Sequence, residues 1–252
     1  MRKEFARTEV LIGGKALAKL SLSRVAVFGI GGVGSFAVEG LARAGVGAFA
    51  LVDGDNIDPT NINRQIHATR KTVGQPKVEA MGERILDINP GAEVTIHKAF
   101  YLPGKAQELI KPDYDYIVDA VDTVTAKIDL VVNAKQLGLP VISSMGAGNI
   151  LDPTKFLIAD IYKTSVCPLA RVMRRELRKR GIKDLKVVYS REQPLKPLTT
   201  VDPVCKTGTS PDEPGTSHRR APGSISFVTS VAGLLLAAEV VRDLIALDIE
   251  RT

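Results

Sequence analysis

The segment RVAVFGIGGVGSFAVEGLARAG, residues 24–45, establishes the fold class of this chain. It begins with an apolar run that predicts a strand and ends with a run rich in small and apolar residues that predicts a helix. Between them, Gly29, Gly31 and Gly34 match the pattern G-x-G-x-x-G. Glycines let the backbone turn sharply and approach phosphate groups, while the start of the following helix offers free N–H groups. This context favours a nucleotide-binding loop over a turn that only packs a helix on a sheet.

Strands and helices continue to alternate after this segment. The hydrophobic patterns predict strands at 24–28, 47–52, 92–97, 114–121 and 139–144, and helices at 33–45, 75–89 and 125–138. Strands interleaved with helices are typical of a parallel, doubly wound sheet. We therefore predict an α/β fold with a Rossmann-like core over residues 20–150.

The regular alternation of strands and helices ends at about residue 150. We predict that residues 151–252 are an extension of the same single domain, 1–252. Two further strands are predicted at 156–162 and 185–190, with a basic helix between them at 167–181. A long loop with six prolines follows at 191–223, and an apolar helix at 225–241. The apolar run is closed by Glu239 before the roughly 20 residues that span a bilayer. We read it as a helix buried against the sheet and expect no membrane insertion.

Composition narrows the function classes. The chain has 252 residues, of which 44% are hydrophobic and 25% charged, so a sizeable core is expected. Cys167 and Cys205 form no CxxC pair, which argues against a disulfide framework and against the usual four-ligand zinc site. The N-terminus lacks the apolar region of a signal peptide, and we expect a cytoplasmic protein.

Positive charge is concentrated in one segment. Residues 171–186 hold eight cations and two acids, a net charge of +6 that equals the net charge of the whole chain. Such a concentration indicates a polyanionic partner, with a solvated helix face as the alternative.

A polar run, DGDNIDPTNINRQ at 53–65, follows the second strand. Asp53, at the end of that strand, is placed to hold ribose hydroxyls. Arg64 and Lys77 supply the cations that a triphosphate needs, which favours ATP over a nicotinamide cofactor. Asp122 lies at another strand end and, with phosphate oxygens, can hold Mg²⁺. The alternatives are a solvated Lys77 and a helix-capping Asp122.

Five motifs, GIGGVGS, LVDGD, NINRQ, VGQPK and VDAVD, occur in order and at close spacing. Together they resemble the adenylating domain of the ubiquitin-activating-enzyme-like superfamily, which includes the ThiF, MoeB and HesA proteins, over about residues 5–150. The resemblance implies a homodimeric Mg-ATP enzyme that activates a carboxylate as an acyl-adenylate. It also implies a nucleotide site formed by Gly29, Gly31, Gly32, Gly34, Asp53, Asp55, Asn61, Arg64, Lys77 and Asp122. The implied catalytic residue from the partner subunit is an arginine near the N-terminus, which Arg7 matches.

The second half resembles one branch of that superfamily, the tRNA threonylcarbamoyladenosine dehydratases, through the segment GAGNILDPTKFLIADIYKTSVCPLARVMRRELRKRGI at 146–182. That branch implies adenylation of the threonine carboxylate and ring closure by the neighbouring carbamoyl group, with release of AMP. The basic helix becomes the candidate tRNA-binding surface: Arg171, Arg174, Arg175, Arg178 and Lys179. Intramolecular attack needs no thiol, so we expect a structural role for Cys167.

Alternatives remain open within the superfamily. The main one is adenylation of the C-terminal glycine of a ubiquitin-like sulfur carrier, although branches with that activity often carry CxxC pairs. The resemblance also leaves open the ring type of the product, a monovalent cation, a sulfur-relay protein partner and the role of Cys205.

Overall fold

The fold is built on one seven-stranded sheet. In the computed structural model, residues 3–199 and 222–245 are described. The strands are β1 (Arg24–Phe28), β2 (Ala48–Val52), β3 (Glu93–His97), β4 (Tyr116–Asp119), β5 (Val141–Ser144), β6 (Phe156–Asp160) and β7 (Lys186–Ser190). They are ordered β3-β2-β1-β4-β5-β7-β6, and all neighbours are parallel except the antiparallel pair β6 and β7. The predicted mostly parallel α/β sheet is confirmed.

Helices cover both faces of the sheet. They are α1 (Ala6–Ile12), α2 (Gly14–Leu22), α3 (Gly34–Ala44), α4 (Lys77–Ile88), α5 (Ala106–Leu109), α6 (Val124–Gln136), α7 (Pro168–Lys179) and α8 (Ser226–Ile245). The sequence did not predict α1, α2 or α5. Helix α1 has no buried residue and α2 buries only Leu20, so neither has the apolar stripe that marks a packed helix.

The strand β1 shows how the two layers form. Val25 and Val27 point to the face covered by α3, α4 and α8, whereas Ala26 and Phe28 point to the face covered by α6 and α7. The chain crosses over one face from β1 to β2 and β3, and over the other face from β4 to β5. This reversal opens a crevice at the carboxyl ends of β1 and β4, where open α/β sheets bind ligands.

The apolar helix α8 packs against α3 as well as against the sheet. A Cβ atom on Gly233 would lie 2.3 Å from the backbone oxygen of Val33, and one on Gly40 would lie 2.8 Å from the Cβ of Ala237. Helix α8 is therefore buried against both the sheet and α3. Within the described ranges, no helix is both long enough and apolar enough to cross a membrane.

The region after β7 is held to the loop that follows β5. The backbone N–H of Leu195 donates to the backbone oxygen of Asn149 at 2.6 Å, and the N–H of Gly223 donates to Asn149 Oδ1 at 2.7 Å. The predicted loop at 191–223 is described at both ends, while residues 200–221 and Cys205 lie outside the described residues.

Candidate nucleotide site and basic helix

The glycine loop between β1 and α3 contains two kinds of glycine. At some positions a side chain would collide with the backbone, and at others there is open space beside the Cα atom. Gly29 has φ +87°, and a Cβ there would lie 2.6 Å from the backbone oxygen of Ala120. A Cβ on Gly34 would lie 1.8 Å from the oxygen of Gly29. At Gly31 the nearest atom to such a Cβ is a side-chain nitrogen of Gln65 at 4.0 Å. The loop is thus both a close-packed turn and an open concavity.

Helix α3 begins directly at this concavity. Its first residue is Gly34, and the residue before it, Val33, provides no side-chain cap. The first N–H groups of a helix lack partners within the helix and carry a partial positive charge. Among those of α3, the N–H of Ser35 donates to the backbone oxygen of Gly31 at 3.0 Å. The geometry suits an anionic group, as the sequence predicted for Gly29, Gly31, Gly32 and Gly34.

Asp53 connects the glycine loop to the polar run. Its Oδ2 accepts a hydrogen bond from the backbone N–H of Ile30 at 2.7 Å, and its Oδ1 accepts one from the N–H of Asp55 at 2.8 Å. Burial raises the pKa of Asp53, while the Lys77 ammonium and the two backbone donors act against that rise. The carboxylate therefore shapes the loop, in addition to the ribose contact predicted from the sequence.

Lys77 opens α4 and points into this site. Only 6% of the residue is exposed, and its Nζ lies 2.6 Å from Asp55 Oδ2. The alternative of a solvated helix residue is therefore wrong. Asp55 itself is exposed, so the lysine is held at the edge of the site by a carboxylate that solvent reaches.

Arg64 is delivered to the glycine loop by a tight turn. Asp58 and Asn61 cap each other across this turn: Asp58 Oδ1 accepts from the N–H of Thr60 at 2.8 Å, and Asn61 Oδ1 accepts from the N–H of Asp58 at 3.1 Å. Asn61 is buried, and its side chain holds this turn through the N–H of Asp58.

The guanidinium of Arg64 has no carboxylate partner in the described part of the chain. It donates from Nη1 to the backbone oxygen of Thr60 and to Asn63 Oδ1, both at 2.9 Å. Its Cγ would lie 3.3 Å from a Cβ on Gly32, so the side chain rests against the glycine loop. Burial lowers the pKa of Arg64. A half-buried cation that lacks an acidic partner is suited to bind an anion.

Asp122 follows β4 at the other side of the crevice. It is exposed, and its Oδ1 accepts a hydrogen bond from Thr123 Oγ1 at 3.2 Å. The N-cap of α6 is Thr123, and no side chain caps that helix, so the alternative of a helix-capping Asp122 is wrong.

The donor set at this point fits Mg²⁺ only together with a ligand. Among the described residues, no three His, Cys, Asp or Glu side chains converge on a space for a metal ion. A single carboxylate plus phosphate oxygens is an ordinary way for a protein to hold Mg²⁺, which keeps most of its remaining ligands as water. Asp122 meets this requirement because its carboxylate is exposed and its oxygens are hard ligands, the kind that Mg²⁺ prefers.

Sequence reasoning missed a buried cluster behind Asp122. Asp119, Lys127 and Ser143 are each 0% exposed, and Lys127 Nζ lies 3.0 Å from Asp119 Oδ2. In the sequence, Lys127 reads as an ordinary polar position of a helix, and Asp119 reads as the end of a strand. Only the buried contact between β4 and α6 distinguishes these two residues from ordinary exposed polar residues.

His67 is a second buried polar group that the sequence did not single out. It is 4% exposed, and neither ring nitrogen has a hydrogen-bond partner among the described residues. Burial, with help from the positive charges of Lys77 and Arg84, lowers the pKa of His67 to about 4. The imidazole is therefore neutral at physiological pH.

Helix α7 packs on the sheet through one apolar side, formed by Ala170, Met173 and Leu177. Two of its predicted tRNA-binding arginines make internal contacts. Arg174 donates from Nη1 to the backbone oxygen of Thr164 at 2.9 Å, and the guanidinium carbon of Arg178 lies 5.3 Å from the ring centre of Tyr162.

The remaining cations of α7 face solvent. Arg171 is exposed, and the side chains of Arg175 and Lys179 are 68% and 63% exposed. Arg175 and Lys179 each form an ion pair with Glu176, and with Arg180 they lower the pKa of Glu176 to about 2. Arg178 is also exposed despite its contact with Tyr162, so only Arg174 of the five candidates is partly buried.

The structure brings most of the predicted site residues together but not Arg7. The glycine loop, Asp53, Asp55, Asn61, Arg64 and Lys77 are linked by the contacts above, and Asp122 follows the segment that touches Gly29. Arg7 is exposed on α1. Cys167 is a free, buried thiol, in keeping with a structural role.

Comparisons with known proteins agree on one family. The sequence model of the ThiF family matches residues 5–251. A Bacillus subtilis protein named tRNA threonylcarbamoyladenosine dehydratase is 47% identical over 251 residues, which is 99% of this chain and 97% of that protein. An Escherichia coli protein of the same name is 42% identical over 70% of this chain and 66% of its own length.

Solved structures agree with the sequence relatives. The crystal structure of E. coli tRNA N6-threonylcarbamoyladenosine dehydratase, TcdA, in complex with AMP superimposes with a TM-score of 0.84 at 33% identity, over 97% of this chain and 95% of that chain. The complex of the same protein with ATP gives a TM-score of 0.83 at 34% identity, with the same coverage.

We expect the buried His67 to make stability depend on pH. The unfolded state takes up a proton near pH 6.5, whereas the folded state does so only near pH 4. Stability is therefore lost as the pH falls through this window, by about 2 kcal/mol between pH 7 and pH 5. Urea unfolding at both pH values should show that His67→Leu loses about this much less stability than the wild type. Equal losses in the two proteins would show that His67 is not held neutral.

Proposed function

This chain belongs to the ThiF family, and on that basis we propose that it is an ATP-dependent tRNA threonylcarbamoyladenosine dehydratase. One observation carries the proposal: the likeness to dehydratases extends over 99% of this chain and 97% of the B. subtilis relative. In this chain, Arg64, Lys77 and Asp122 lie around the glycine loop, which supports a nucleotide site there. ATP is the nucleotide of the site, in line with the ATP and AMP complexes of the E. coli relative.

The reaction proceeds in two steps. A carboxylate oxygen of the threonine group attacks the α-phosphorus of ATP, and pyrophosphate leaves. The neighbouring carbamoyl group then attacks the activated acyl carbon, a ring closes and AMP leaves. The nucleoside loses one water in total, and the oxygen of that water departs in AMP. The second step is intramolecular, which gives the attacking group a very high effective concentration, and no external thiol takes part.

The chain's own residues prepare the triphosphate for attack. The glycine loop and the start of α3 bind phosphate oxygens, while Asp53 holds the loop and the ribose. Arg64 and Lys77 stabilise the negative charge that passes to the departing pyrophosphate. Asp122 would hold Mg²⁺, and the ion when bound would supply neutralisation of charge on the phosphate oxygens.

The tRNA is bound by charge on α7. Arg171, Arg175 and Lys179 contact phosphates of the anticodon stem and loop, which positions the substrate without reading its sequence. Arg174 and Arg178 shape this surface through Thr164 and Tyr162. We place the protein in the cytoplasm, where this substrate is found, and treat residues 1–252 as one adenylating domain.

The active form is a homodimer in which Arg7 completes the site of the partner subunit. Helix α1 carries Arg7 on an exposed surface beside Val10 and Leu11, which are 89% and 84% exposed. A short helix with no buried residue and two such exposed apolar side chains is well suited to pack against a second copy.

The reaction itself is the first test. Purified protein is incubated with Mg-ATP and tRNA that carries threonylcarbamoyladenosine, and the digested nucleosides are weighed while AMP is assayed. We expect the loss of one water with formation of AMP, and a rate at least about 100-fold lower in Asp122→Ala. Glu83→Ala, an exposed carboxylate on α4, is the control and should keep full activity.

An unchanged nucleoside would overturn the proposal. If AMP then formed only after addition of a protein with a C-terminal Gly-Gly, the activity would be that of a sulfur-carrier activator.

The tRNA surface has its own test in binding at several salt concentrations. Arg171→Glu with Arg175→Glu should weaken binding and reduce the slope of log K against log[salt] by roughly 0.7–0.9 for each phosphate that the protein no longer neutralises. Lys111→Glu, which reverses a charge at an exposed site away from α7, should leave the slope as it is. Equal effects of both changes would place the tRNA elsewhere.

The partner arginine is tested by mixing subunits. Arg7→Ala and Asp122→Ala should each be inactive alone. Mixed dimers combine one intact Arg7 with one intact Asp122 in one of their two sites, so random exchange should recover about a quarter of the wild-type activity. Sedimentation should show that Val10→Asp with Leu11→Asp is monomeric. No recovery in mixtures that do form mixed dimers would show that Arg7 does not act across the interface.

A further inference from the structure

The buried ion pair behind Asp122 is not explained by stability alone. Asp119 and Lys127 are both 0% exposed, with Lys127 Nζ 3.0 Å from Asp119 Oδ2. Removing two charges from water is costly, and apolar residues of similar volume are often at least as stable as a buried ion pair. A pair of this kind points to a requirement for a particular geometry.

That geometry concerns the residue directly before Asp122. Lys127 Nζ donates to the backbone oxygen of Val121 at 3.1 Å, while Asp119 Oδ1 accepts from the backbone N–H of Val121 at 3.3 Å. The two members of the pair therefore hold both polar groups of one residue. Ser143, on β5, donates from Oγ to Asp119 Oδ2 at 2.5 Å, whereas Val121 is held through Asp119 Oδ1 and Lys127.

The same segment closes against the glycine loop. A Cβ on Gly29 would lie 2.6 Å from the backbone oxygen of Ala120 and 2.9 Å from the nitrogen of Val121. The backbone before Asp122 is thus fixed from one side by the loop for the phosphates and from the other side by the buried pair. What remains adjustable is Asp122 itself, whose side chain is exposed.

We propose that Lys127, together with Asp119, is a positioning residue: it holds the Val121 peptide so that the Asp122 carboxylate meets Mg²⁺ on the bound triphosphate. This inference rests on the proposed function, because it assumes that Mg-ATP binds at the glycine loop. Lys127 does not touch the nucleotide and acts through the backbone. Groups that orient a metal ligand are commonly worth about 10- to 100-fold in metal affinity.

Nucleotide binding separates this role from a purely structural one. Affinities of the full chain for ATP with Mg²⁺, for ATP with EDTA and for AMP are measured together with the melting temperature. The variants are Lys127→Met, the double variant Asp119→Asn with Lys127→Met, and Ser143→Ala. Ser143→Ala is the matched control because Ser143 hydrogen-bonds to Asp119 but, within the described chain, makes no hydrogen bond to Val121. Asp122→Asn marks the complete loss of the Mg²⁺ effect.

We expect Lys127→Met to melt at a lower temperature, since it leaves the Asp119 carboxylate buried without its cation. The double variant removes that charge and should regain most of the melting temperature. In both, the gain in ATP affinity on addition of Mg²⁺ should fall by roughly 10- to 100-fold, with AMP affinity at the wild-type value. Ser143→Ala should keep the Mg²⁺ effect.

Recovery of the Mg²⁺ effect together with the melting temperature in the double variant would overturn the inference. So would a loss of AMP affinity equal to the loss of Mg-ATP affinity, because it would indicate a general distortion of the site. A wild-type chain that binds ATP equally well with Mg²⁺ and with EDTA would instead overturn the proposed use of Mg-ATP, and this inference with it.

Discussion

The site depends on the carboxylate of Asp53. Its two oxygens accept hydrogen bonds from the N–H groups of Ile30 and Asp55, at 2.7 and 2.8 Å, and so join the glycine loop after β1 to the polar run after β2. Because the carboxylate is largely buried, these two charge-assisted bonds are stronger than bonds in water. Gly31 can face an open concavity, and Lys77 can reach the adjacent Asp55, only while these two loops keep their relative position.

The cations of the site differ in how they are neutralised. Lys77 is paired with Asp55 and Lys127 with Asp119, whereas Arg64 contacts only neutral oxygens in the described chain. A buried or half-buried charge is tolerated when a partner compensates it. The compensated lysines can therefore set positions in the folded protein, while no acid in the described chain compensates the charge of Arg64. Because two of the three charges are compensated, Lys77, Lys127 and Arg64 can lie in one region of the fold without strong mutual repulsion.

Helix α7 shows a comparable division on the surface. The segment 171–186 carries the whole net charge of the chain, yet Arg174 and Arg178 bind Thr164 and Tyr162, and Glu176 pairs with three neighbouring cations. The charge that reaches solvent is thus arranged by internal contacts. An exposed ion pair contributes little stability. Arg175, Lys179 and Arg180 can therefore exchange Glu176 for another anion at a small cost in free energy.

The amino-acid sequence alone was enough to establish the α/β class, most element positions and the place of the glycine loop between β1 and α3. These features follow from local patterns: strand and helix periodicity, and glycines at the spacing G-x-G-x-x-G, which includes Gly29 and Gly34. The same patterns placed Asp53, Lys77 and Asp122 at strand and helix ends and Arg64 in the polar run after β2. Tertiary packing was needed to show that Lys77 and Lys127 are buried, that Asp119 joins β4 to α6 and that His67 is held neutral. Burial and ion pairing depend on which elements pack together, and a lysine or histidine in a helix or loop pattern looks the same whether its neighbour is water or a carboxylate.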